Sequence, residues 1–209
     1  WSAVGGFERP RRRAVAWLLA QHGWTEQNQP GFPIEHDFRL DGWTWAPETH
    51  PWIEPTALAL LALRREGRAD HPRVPEGLRL IHDRAVPSGG WNFGNRVVFG
   101  HPLRPQPGPT ALALLALAGT GPCTPMIAGA LAYLESILAD LRAGWSLGWA
   151  WLALRAWNRT TGPAPADLEA ARTLAPRRPN PTLALASLAL ARSPGAIGAL
   201  LGRAPGADA

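Results

Sequence analysis

Three carboxylates, Asp37, Asp41 and Glu54, are the candidate catalytic acids of this 209-residue chain. Asp37 and Asp41 sit in the run Glu35-His36-Asp37-Phe38-Arg39-Leu40-Asp41. Burial beside a second carboxylate raises a carboxyl pKa until the group holds a proton it can deliver. The competing expectation for both aspartates is a solvated loop with turn-forming side chains. His50-Pro51 and His101-Pro102 stand 51 residues apart in loops of matching position. Two imidazoles facing one opening, near Glu48 and Glu54, would suit metal ligation or acid–base work, whereas turn-forming His-Pro pairs would do neither. Asn92, Asn95, Arg96 and Arg104 crowd the second of those loops, where a guanidinium offers paired donors to a phosphate or carboxylate. Trp45, Trp52, Trp149 and Trp151 have the least regular placement among 11 tryptophans. They are candidates to line a ligand cavity, where their ring faces would stabilise a cation. Cys123 has no Asp or His beside it in sequence and reads as a small packing residue rather than a zinc ligand. No metal site is expected, and the residues identify no cofactor.

These side chains must be held by something, and internal repetition says what. The string Pro-Thr-Ala-Leu-Ala-Leu-Leu-Ala-Leu at 55–63 recurs letter for letter at 109–117, and a degenerate copy spans 181–190. Gly42-Trp43, Gly90-Trp91 and Gly144-Trp145 recur with a similar period, near fifty residues. The Ala/Leu strings have high helix propensity and are apolar all round, so each reads as a helix buried on every side. Proline at the first helical position is tolerated because its missing N–H would have no partner there. Glu54, Gly108 and Asn180 then stand at the N-caps, with Glu54 the poorest of the three. Segments 11–21, 75–85, 125–142 and 167–174 are amphipathic instead, with apolar residues at helical spacing on one face. The chain is therefore expected to be all-α, alternating inner apolar and outer amphipathic helices in about four hairpins, at the scale of a helical repeat protein. Parallel inner helices would share one rim with the loops 43–54 and 91–108. Unpaired N–H groups gathered there would favour an anion.

Gly-Gly-Trp-Asn-Phe-Gly at 89–94, followed by a loop and the Pro-Thr-Ala-Leu string, resembles the prenyltransferase/squalene-cyclase repeat. Residues 42–63 are a second match and 143–157 a weaker one. The resemblance implies an α/α toroid over roughly residues 10–192, partial because the hairpins are fewer than a complete ring requires. It also implies an isoprenoid or other apolar ligand, and Trp43, Trp91 and Trp145 as staples between hairpins. The Asp-rich motifs of that family, Asp-x-Asp-Asp and Asp-Asp-x-x-Asp, are absent, which leaves catalysis without its usual acid or magnesium site.

Composition narrows the remaining choices. The formal charge is +5, with no lysine among the 21 basic residues, and those are scattered rather than striped, which argues against a nucleic-acid surface. One cysteine excludes an intrachain disulfide framework. No apolar run is long enough to span a membrane. The expectation is a cytoplasmic or membrane-peripheral repeat domain over 1–192 with a Gly/Ala/Pro-rich tail at 193–209. An upstream segment or a protein partner would complete the ring. Two further functions fit the same fold: a non-catalytic helical scaffold for a protein or lipid, and a carbohydrate-active toroid with an aromatic groove.

Overall fold

The computed structural model describes residues 6–159, 169–171, 173, 181–193 and 195–202. Its helices are α1 (Glu8–Ala20), α2 (Ile53–Arg65), α3 (Arg73–Asp83), α4 (Pro107–Leu117), α5 (Pro125–Ile137), α6 (Gly144–Ala156), α7 (Pro181–Arg192) and α8 (Ala196–Leu200). A short antiparallel pair, β1 (Val97–Val98) and β2 (His101–Pro102), interrupts the loop before α4. The chain is mostly helical, in keeping with the all-α reading. Asn180 and half of 167–174 lie outside the described residues.

Helices α2, α4 and α6 run parallel. Glu54, Gly108 and Trp145, each in a first turn, meet at one end of the bundle. Near the other end Arg64 donates to the carbonyls of Ala116 and Ala118, and the Trp157 indole donates to that of Leu114. Gly144 faces Leu188 and Ala184, and Gly148 sits against Ser187, so α6 and α7 pack closely through the α6 glycines. The loops before α2 and α4 accordingly lie on one rim. Helix α4 is the most enclosed, with every residue from Gly108 to Leu117 buried. Helices α3 and α5 pack outside it, and α8 bridges α2, α6 and α7.

The repeated letters form a repeated device. The Thr56 hydroxyl accepts from the Trp43 main-chain N–H at 3.0 Å and donates back to its carbonyl at 3.3 Å. Thr110 does the same to Trp91, at 2.9 and 3.1 Å. The N-cap residues Trp52 and Gln106 donate their own N–H groups to those same two carbonyls. Each indole then reaches the last turns of the preceding outer helix, Trp43 to Leu18 and Trp91 to Ile81. One Gly-Trp unit thus joins an outer helix's C-terminus to an inner helix's N-terminus. The glycine is required because a Cβ at Gly42 would stand 2.7 Å from the Thr56 hydroxyl, and one at Gly90, where φ is +87°, 2.9 Å from that of Thr110. Thr110→Val keeps the volume but orphans the buried Trp91 N–H, while the Trp91 carbonyl keeps its bond from Gln106, so chemical denaturation should show a loss of about 1–3 kcal/mol. Thr110→Ser should lose far less.

Two local expectations need correcting. Helices α2 and α4 begin at Ile53 and Pro107, so Glu54 and Gly108 lie within the first turn, and Trp52 and Gln106 hold the N-caps. Prolines 55 and 109 remain harmless, since the first four N–H groups of a helix have no intrahelical partner. The third repeat lacks the clasp. Its helix α6 starts at Gly144 with no intervening loop, and Thr182 is exposed.

Candidate functional site

Where the parallel inner helices begin, Glu54 of α2 faces α6 across Gly108. A Cβ at Gly108 would lie 3.3 Å from Glu54 Oε1 and 3.6 Å from Trp145 Nε1, so the missing side chain on α4 lets the other two meet. The Trp145 indole nitrogen and the Glu54 carboxylate thus face each other across Gly108. Burial raises the Glu54 pKa, and the nearby indole N–H opposes that rise without cancelling it. One turn further along α6, Trp149 packs edge-on to Trp145 with ring centroids 5.4 Å apart. The Trp149 indole N–H is buried and without a partner. A half-buried acid, two indoles and an unused donor therefore lie together at the parallel N-termini. Such a group suits a ligand that is largely apolar with one polar feature.

Raised carboxyl pKa values carry a sign. The proton on Glu54 contributes stability that is full below the ordinary value of 4.5 and is lost as pH rises through the higher folded-state value. Glu54→Gln should therefore raise the thermal unfolding midpoint at neutral pH. That gain should shrink towards nothing below the ordinary carboxyl value, in melts compared across pH.

The other candidate residues lie in the rim loops. Asp37 is bound by Arg39 and Asn28, which hold its carboxyl well below the usual range. Asp41 accepts from the N–H groups of Gly23 and Gly42 and from His22 and Arg73. Both aspartates are loop-organising anions with filled coordination, remote from Glu54 in bonding. His50 packs between Trp24 and Phe38, with centroids 4.2 and 5.3 Å away. His101 instead lies exposed on β2, so the two His-Pro pairs occupy different settings. Asn92 is taken up inside its loop, donating to the Arg104 carbonyl and accepting from the Phe93 N–H. Arg104 is exposed, while Arg96 is half-buried and donates to the Asp83 carbonyl at 3.4 Å. Trp52 lies over Gly94 and Trp45 is 64% exposed, so Trp149 alone of these three joins the acid.

Sequence reasoning missed two residues here. Trp145 occupies the Gly-Trp position and reads from sequence as a staple, yet its indole faces Glu54. The signal in the sequence is spacing: Pro-Thr strings begin 12 residues after Trp43 and 18 after Trp91, but 36 after Trp145. Arg84 is 2% exposed and donates to Gly94 and Asp37 carbonyls and to Asp83, tying both rim loops to the end of α3. Burial lowers its pKa to about 10, which leaves it charged at neutral pH.

Elsewhere, an open apolar groove of about 490 Å³ separates α1 from α2, bridged by the Arg11–Glu66 ion pair. Among the described residues no three His, Cys, Asp or Glu side chains gather as a metal would require. Cys123 is exposed. Among the same residues no helix is long and apolar enough to cross a membrane. No family model, curated protein or solved structure matches the chain.

Proposed function

We propose that the chain is a divergent prenyltransferase/squalene-cyclase-type α/α toroid domain that holds an isoprenoid or other apolar ligand on the inner side of α2, α4 and α6. The observation that carries this reading is the Glu54–Trp145–Trp149 group at the shared N-termini. Leu58, one turn below Glu54 and only half-buried, extends an apolar wall from the acid. Glu54 is the acid of choice because burial favours its protonated form, whereas Asp37 is held ionised. The indole faces beside it would stabilise positive charge developing on a ligand.

One observation favours the scaffold reading instead. Helix α8 packs against α2, α6 and α7 and buries Ala196, Ile197 and Gly198, which reduces the space for a long ligand between those helices. Native mass spectrometry with squalene, an isoprenoid diphosphate and a linear oligosaccharide separates the possibilities. One-to-one retention of an isoprenoid, weakened by Trp149→Ala, is the expected result. Retention of the oligosaccharide alone would replace the proposal with a carbohydrate-binding toroid, and retention of none with the scaffold.

A further inference from the structure

Four of the buried polar nitrogens without a hydrogen-bond partner lie in the rim loops, away from Glu54. They are His36 Nδ1 and Nε2, His50 Nδ1 and Arg96 Nε. The side chains form one neighbourhood. The His36 ring lies 4.2 Å from Phe38, which lies 5.3 Å from His50, and the charges of Arg84, Arg96 and Asp37 all act on His36. A buried donor or acceptor left unmade costs about 1–3 kcal/mol, so several in one place call for an occupant that satisfies them together.

The local charges decide the sign of that occupant. Asp37 is taken by Arg39 and Asp83 by Arg84. Arg96 bonds the Asp83 main-chain carbonyl, and among the described residues no carboxylate pairs with its guanidinium. With Arg84 neutralised by Asp83, Arg96 is, among the described residues, the cation left beside the two imidazoles, opposed at His50 by Glu26, and it attracts an anion. The imidazoles are kept neutral by burial first and by Arg84 next, with His36 pushed down to about 3. His50 Nδ1 is buried without a partner, and the ring packs against Trp24 and Phe38. An anion would supply the field that favours protonation of these rings.

We propose that His36, His50 and Arg96 form a binding site for one small oxoanion, a phosphate or a carboxylate group. Arg96 provides the charge-assisted donor, and the imidazoles turn N–H groups to the remaining oxygens. No hydrogen bond fixes the His36 ring, so it can swing from Phe38 to admit the anion. The site stands independently of the apolar ligand proposed for the inner side.

Isothermal titration of the whole chain with inorganic phosphate and, separately, with acetate tests this, together with NMR titration of the imidazole protons. Saturable one-to-one binding of at least one anion is expected, with the His36 pKa moving upward in its presence. The tighter anion names the source of the group. Arg96→Gln should weaken binding at least about tenfold, as expected for loss of a bond to a charged group. His36→Phe keeps an aromatic ring against Phe38 while removing both nitrogens, and should also weaken it. Absence of saturable binding by both anions, or unchanged affinity in either folded variant, overturns the proposal.

Discussion

Gly148→Ala is expected to undock α7 from α6. A methyl group there would stand 2.7 Å from the Ser187 carbonyl carbon and 2.9 Å from both its main-chain oxygen and its hydroxyl. Two of those three atoms are main chain, so no rotamer change relieves the contact and the helices must separate. Overpacking of this kind costs about 1–3 kcal/mol, and rigid backbone obstacles put this site at the upper end. The loss has to exceed the gain of about 1 kcal/mol that alanine brings to a helix interior. Gly129→Ala in α5 provides the contrast, since its Cβ would meet only Gly89 at an ordinary 3.7 Å. Denaturant unfolding should show destabilisation by the first substitution and neutrality or stabilisation by the second. Faster amide exchange in the variant should concentrate in α7 and α8.

Arg84→Met should be as damaging, for an electrostatic reason. The guanidinium is fully enclosed, and three acceptors depend on it: the Gly94 and Asp37 carbonyls and the Asp83 carboxylate. Asp83 keeps the Asp37 N–H and some exposure, so the main loss is the unpaired Gly94 carbonyl and the weakened loop contacts, about 2–3 kcal/mol. Methionine fills most of the volume, so the loss measured by denaturation reports the bonds rather than a cavity. Lysine should recover only part of it, because a single ammonium cannot reach three acceptors in a fixed plane. Arg84 also depresses His36. In any folded fraction of the variant, the His36 imidazole should therefore titrate at higher pH, which NMR can read.

Sequence made the fold legible to the extent that identical letters form identical bonds. Gly-Trp and Pro-Thr recur because Thr56 and Thr110 clasp Trp43 and Trp91 in the same way, and the glycines make room for the hydroxyls. Periodicity separates inner from outer helices, and the repeat makes the inner ones parallel. The acid Glu54 is visible as a carboxylate at an inner helix start. Its partner is not, because Trp145 shares its letters with two staples and differs only in its distance from the next Pro-Thr string. Arg84 looks like part of an outer helix's polar face. Its burial arises from loops folding back over the end of α3, a long-range event with no local pattern. The β1–β2 hairpin is hidden for the same reason, since its register depends on Glu35 and Phe99 N–H groups reaching across between loops.

Helix α8 has a consequence for how the molecule comes apart. In an array whose units touch only their sequence neighbours, each hairpin can melt without consulting the rest, and unfolding spreads over a range of conditions. Here the last described residues return to the first inner helix. Gly202 comes so close to Arg64 that a Cβ would lie 2.8 Å from its carbonyl oxygen, and α8 touches α2, α6 and α7 at once. That contact makes the two ends of the repeat mutually dependent. A chain built as a string of units then loses its structure in a single cooperative step.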